Sequence, residues 1–193
     1  MSKVKLGPQE LVYPMPAFLV GALCANRPNF ATVAWGGIVC STPPMVGVSL
    51  RPSRHTYNGI KEHEVFSVNI PSSAQIAETD YCGLVSGAKT DKVEACGFHV
   101  FYGALKEAPL IEECPLNLEC ALVEMRTLGS HILIIGEITE CYASEECLTD
   151  GKPDVDKILP LSYSSGKAAE YRTIGEALGP AFKIGRTLKG NNR

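Results

Sequence analysis

The sequence predicts a mainly β fold, an antiparallel barrel with a few short helices, and three observations point there. Short apolar runs recur along the chain, at 17–25, 30–40, 45–50, 65–70, 118–129 and 131–143. Gly, Pro, Asn and Ser punctuate the gaps between them, as turns require. Closing such strands on one another leaves no exposed edge, which favours a barrel over an open sheet.

Taken in order, AFLVGALCA and FATVAWGGIVC form two strands joined by a hairpin loop at Asn26, Arg27, Pro28 and Asn29. A turn over 41–44 leads to the strand MVGVSL, and a short helix from Thr56 to His63 separates it from VFSVNI. The stretch 71–97 is polar, with a short helix near Ala74 to Tyr81 and no continuous apolar face afterwards. A connection of that length inside a compact domain suggests a binding segment, a lid or disorder. FHVFYG, LECALVEMRTLG and HILIIGEITECYA are strands again, the last two joined by a tight turn at Gly129 and Ser130. The tail carries a helix near Thr173 to Leu178, stopped by Gly179 and Pro180. It packs on the barrel or on a second subunit. We expect one domain over 1–193.

With 193 residues, 45% hydrophobic and 20% charged, the chain is long enough for one substantial core. The formal net charge of -3 offers no broad attraction to nucleic acid or to an anionic membrane, so any anion must meet a local site. The polar opening MSKVKLGPQE lacks the apolar segment of a secretory signal, and no apolar run reaches bilayer length. These features predict a soluble, cytoplasmic protein. Its eight cysteines are then expected as thiols, and no two have the spacing of a zinc knuckle or redox dithiol. The four histidines share no metal-ligand spacing, so no metal centre is indicated.

The sharpest local signal is RPSRHT, at the exit of one strand and the start of a helix. Arg51 and Arg54 supply fixed charge, Ser53 and Thr56 supply hydroxyls, and the helix start supplies free N–H groups. Those are phosphate-binding parts; the plain alternative has Thr56 capping the helix with both arginines in solvent. GLVSGAKTDK resembles the phosphate loop of nucleotide hydrolases, but Ala88 stands where that loop needs a glycine before its lysine. Ser86, Gly87 and Lys89 can still donate to an anion or ring carbonyl, or form a solvated loop. In NFATVAWGG, small residues around the only tryptophan would let a planar ligand lie against the backbone; a core tryptophan is the ordinary alternative. His131, directly after a Gly-Ser turn, could face a barrel mouth or solvent. Neither a nucleophile elbow nor a dinucleotide fingerprint is present.

The ordered set NFATVAWGGIVCSTPPMVGVSLRPSRHT, VFSVNIP, SGAKTDK and GSHILIIGEI resembles the flavin reductase-like family, and within it the flavoredoxins. The resemblance implies an FMN-binding split β-barrel of Greek-key type, a homodimer holding FMN noncovalently near its interface. By similarity, Thr32, Val33, Ala34, Trp35 and Ser49 would border the isoalloxazine, while Arg51, Ser53, Arg54 and Thr56 would hold phosphate and ribityl oxygens. Ser86, Gly87 and Lys89 would add contacts, and His131 would face the flavin or the nicotinamide side. The implied work is electron transfer through bound FMN to a redox protein or small acceptor. The alternatives are an NAD(P)H:flavin oxidoreductase, serving a monooxygenase or reducing ferric chelates, and a nonenzymatic flavin-binding module. No general acid or base is assigned.

Overall fold

The structure, a computed structural model, describes residues 1–166 and 169–190. The chain enters through β1 (Met15–Pro16) and forms β2 (Phe18–Cys24), β3 (Arg27–Val33), β4 (Gly36–Ser41) and β5 (Pro44–Leu50). Helix α1 (His55–His63) leads to β6 (Val65–Ile70), then α2 (Ile76–Leu84), α3 (Lys92–Cys96), β7 (Val100–Phe101) and β8 (Leu110–Ile111). The long hairpin β9 (Leu116–Leu128) and β10 (His131–Ala143) follows, with Gly129 at φ 56° in its turn, where the sequence placed it. A small ribbon of β11 (Leu148–Thr149) and β12 (Lys152–Pro153), the turn α4 (Val155–Ile158), β13 (Leu161–Ser164) and β14 (Glu170–Thr173) complete the regular elements before a 3-10 segment at Ile184–Gly190.

The main sheet runs β3-β2-β6-β9-β10-β5-β4. Its two edge strands, β3 and β4, are joined by only Ala34 and Trp35. Laid flat, seven strands would hold those edges roughly 29 Å apart at about 4.8 Å per step. Three Cα steps span at most about 11 Å. The sheet must therefore roll up, and the edges meet in a seam at Ala34 and Trp35, where the Ser49 N–H donates to the Trp35 carbonyl at 2.8 Å. The result is the expected mainly β split barrel of Greek-key type.

Alternation along the strands separates two apolar layers. Val20, Ala22, Ala31, Val33, Val46, Val48, Phe66 and Ile134 fill the barrel. Their neighbours Leu19 and Phe30 point outward and pack with Cys82, Phe98, Ile111 and Cys114. That second layer is supplied largely by the stretch beyond residue 71, which is an ordered cover with two helices instead of a solvated loop. Buried Asn69 fastens it to the wall: its Oδ1 accepts from the Ile111 N–H at 3.0 Å and from Asn117 Nδ2 at 2.8 Å, and its Nδ2 donates to the Leu19 carbonyl at 2.9 Å.

Several boundaries differ from the sequence expectation. The first hairpin turns at Ala25 and Asn26, with φ 49° and 60°, and Arg27 to Asn29 already belong to β3. Pro28 is tolerated there because β3 is an edge strand. The single strand expected over 30–40 is two, broken at the seam. The helix expected near Thr173 to Leu178 is absent: Thr173 ends β14 and 174–178 are non-helical.

All eight cysteines are free thiols. Among the described residues, no metal-holding cluster of His, Cys, Asp or Glu occurs, and no helix is long and apolar enough to cross a membrane.

Candidate functional site

The seam and the helix following β5 come together on one side of the barrel. β5 ends at Leu50, and the turn that follows sets Arg51 to Ser53 ahead of α1. Arg54 is the N-cap of α1 with an extended backbone, φ -73° and ψ 130°, and no side chain caps the helix. Thr56 therefore does not cap. It is the second residue of the helix and fully buried, and its Oγ1 accepts from Asn29 Nδ2 at 2.7 Å.

Two adjoining clefts share Arg51 and Arg54. The first, about 160 Å3, is lined by Thr32, Val33, Ala34, Trp35, Ser49 and His131 along the seam, with Leu50 and the shared arginines. The second, about 290 Å3, takes Ser53, Thr56, Ser86 and Gly87, and adds His55, Leu84, Val85 and Lys92. Neither cleft has a carboxylate in its lining. Twelve of the thirteen residues singled out from the sequence thus gather in one place.

Lys89 is the exception. Its side chain is exposed and lines neither cleft, and its backbone N–H turns back onto the Ser86 carbonyl at 3.0 Å. Lys92 sits in the second cleft instead, only 3% exposed, with Nζ donating to the carbonyls of Phe30 at 2.7 Å and Cys82 at 2.8 Å. The signal for it was Asp91, whose carboxylate accepts from the N–H groups of Val93 and Glu94 and starts α3. Lys92 and Cys96, four apart, then share one helical face.

Other side chains are held by structural bonds. Arg54 Nη1 donates to the Gly83 carbonyl at 2.7 Å, and Thr32 Oγ1 donates to the Thr79 carbonyl, so both pin α2 against the barrel. Gly87 lies so close to Asn29 that a Cβ would fall 1.7 Å from Asn29 Oδ1. The loop's close approach to β3 therefore requires a glycine.

Trp35 is 39% exposed and is not a core residue. Its ring lies 4.4 Å from that of His131, tilted by 44°, forming one aromatic wall. Partial burial, with the Arg51 charge adding to it, pushes the His131 pKa below its ordinary value and favours the neutral ring. Adjoining the first cleft at Ala34, Trp35 and Ser49, an apolar groove of about 520 Å3 runs past Val12, Met15, Gly37, Ile38 and Leu133.

A rolled sheet with an arginine-lined, acid-free cleft beside an aromatic-walled one defines a split barrel suited to an anion joined to a flat ring. The chain belongs to the flavin reductase-like family: the flavin reductase like domain matches residues 11–172. Flavoredoxin from Methanosarcina acetivorans is 42% identical and superposes at a TM-score of 0.93, covering 97% of this chain and 100% of that one. An FMN-binding protein from Thermus thermophilus, solved with bound p-hydroxybenzaldehyde, is 27% identical at a TM-score of 0.77, covering 93% and 99%. Among curated relatives, the reductase component of 4-nitrophenol 4-monooxygenase/4-nitrocatechol 2-monooxygenase from Rhodococcus opacus is 26% identical over 79% of this chain and 72% of its own length.

Proposed function

We propose that the protein binds FMN noncovalently in the two joined clefts and passes electrons through it, in the manner of a flavoredoxin. The observation that carries this reading is the acid-free cleft holding Arg51, Arg54 and the start of α1, directly beside the Thr32–Trp35 strip. Two guanidinium groups and free helix N–H groups suit a phosphate monoester. Small Ala34 and the Trp35–His131 wall suit a flat tricyclic ring. When bound, FMN supplies the electron chemistry, and the protein positions the ring, sets its surroundings and admits a donor. The apolar groove past Trp35 offers that donor or acceptor a route to one edge of the ring.

We also propose a homodimer. Edge strand β4 leaves Ile38 68% and Val39 53% exposed, and beyond β14 Leu178 and Phe182 are 95% and 96% exposed. Apolar surface of this extent suits burial against a second copy.

A second reading has support in the Rhodococcus opacus relative, itself a monooxygenase reductase component. On that reading the same residues bind flavin for reduction by NADH or NADPH and release it to a partner. One experiment separates the two. The purified protein is examined for a flavin spectrum and mixed anaerobically with each nicotinamide. Retained FMN without nicotinamide oxidation supports electron transfer; bleaching with turnover on added FMN supports the reductase. A protein that neither carries nor binds FMN refutes both.

A further inference from the structure

We infer that Cys82 and Cys96 form a dithiol that small-molecule disulfides oxidise to a bridge, clamping the loop between α2 and α3. The bridge itself stands apart from the flavin reading; only its effect on FMN rests on that reading. On α3, Lys92 and Cys96 lie one turn apart on one face. Lys92 Nζ holds the Cys82 carbonyl at 2.8 Å, which sets α3 against the end of α2 and brings Cys96 onto Cys82. The Cys82 thiol is in hydrogen-bonding contact with the Cys96 sulfur, and both pack in the layer of Leu19, Phe30 and Phe98. Other cysteines are engaged differently. Cys24, Cys40 and Cys147 donate to backbone carbonyls, while Cys114 and Cys120 lie in the apolar interior.

Access divides the roles of the two sulfurs. Cys96 is partly exposed and Cys82 is fully buried, so an incoming reagent meets Cys96 first. Burial pushes the Cys82 thiol up to about 12. Burial also raises Cys96, but the bond with Cys82 acts the other way and favours the Cys96 thiolate. With a disulfide RSSR, the Cys96 thiolate attacks one sulfur and expels RS⁻, which takes up a proton. Cys82 then gives up its proton, attacks the Cys96 sulfur and expels the second RS⁻. Two protein thiols and one RSSR become one bridge and two RSH, with two electrons passing to the reagent. Between the joined residues, Leu84, Val85, Ser86 and Gly87 line the second cleft. Pinned at both ends, that loop opens less often and FMN leaves more slowly.

The test treats FMN-loaded protein with glutathione disulfide, counts thiols after an acid quench and maps bridged peptides by mass. Six free thiols of the eight should remain, with Cys82 joined to Cys96. In Cys82→Ser the glutathione adduct should instead stay trapped on Cys96, and Cys96→Ser should lose no thiol at all. Eight surviving thiols, a bridge between other cysteines, or a wild-type adduct that never passes to Cys82 would overturn the dithiol. FMN release, followed by fluorescence on dilution, should slow by about threefold or more in the bridged protein and recover with dithiothreitol. A mapped bridge with an unchanged release rate would overturn the clamp. Protein that holds no FMN fails the flavin reading separately, and the thiol count still judges the pair.

Discussion

Arg54 is tied at its backbone to the start of α1 and at its guanidinium to the Gly83 carbonyl, which leaves its remaining N–H groups for a ligand. Truncation to Ala should weaken FMN binding by about 2 kcal/mol, roughly thirtyfold, the scale of a charge-assisted hydrogen bond, with the barrel still folded. A fluorescence-quenching titration checks this, and unchanged affinity would remove Arg54 from the binding set. The two histidines for which shifts are resolved move in opposite directions. Glu113, 2.6 Å from His99 Nδ1, raises the pKa of that exposed ring, while burial and Arg51 lower that of His131. The His99 contribution is thus fully present below its unfolded pKa and fades as pH rises through the raised folded value. Neutral His131 instead becomes unfavourable to protonate as pH falls through about 6.5, so its share of stability is lost on the acid side. An NMR titration should find His99 above about 6.5 and His131 below it; the reverse order would contradict these surroundings.

At the scale of elements, close approaches decide what the seam and loops tolerate. A Cβ on Gly36 would lie 2.9 Å from the Gly47 carbonyl across the β4–β5 pair, whereas Gly37 next door faces open space. Gly36→Ala should cost about 1–3 kcal/mol in urea unfolding and Gly37→Ala under about 1 kcal/mol. Equal costs would mean that the pairing relaxes freely. At Gly87 the obstacle is Asn29, so Gly87→Ala should displace the Asn29–Thr56 bond and reduce FMN affinity together with stability. The site was legible at this level where chemistry is local: RPSRHT supplies charge, hydroxyls and a helix start within six residues. Lys92 was not, because only the fold carries α3 back beneath β3 and turns an ordinary-looking lysine inward. The cover over 71–97 was missed for a related reason. Its apolar residues come in short, interrupted pairs such as Tyr81–Cys82 and Ala95–Cys96 and become a layer only against the outward side chains Leu19 and Phe30.

For the whole molecule, the barrel was legible because apolar runs and turn residues repeat at strand length, whatever their pairing. The break at Ala34 and Trp35 was hidden, since a strand that crosses from one sheet edge to the other looks continuous in sequence. The tail was misread because Glu176 to Leu178 has helical composition but no surface to pack its apolar side against. In the proposed dimer a second copy provides that surface. Sedimentation should give twice the mass of one chain, and Phe182→Ser should shift the equilibrium toward monomer; a wild-type monomer at micromolar concentration would exclude the arrangement.

The seam also has a thermodynamic side. Only one short strap joins the two edges of the rolled sheet, and the candidate site lies along that strap. A ligand gripping Arg54 on one side and Trp35 on the other would act as a clasp across the joint, so occupancy and resistance to opening become linked quantities. Amides flanking the strap, from Val33 to Ile38, should then exchange with deuterium more slowly once FMN is added, ahead of those in β9, far from the closure. For such a protein, losing its ligand and loosening its wall would be one event.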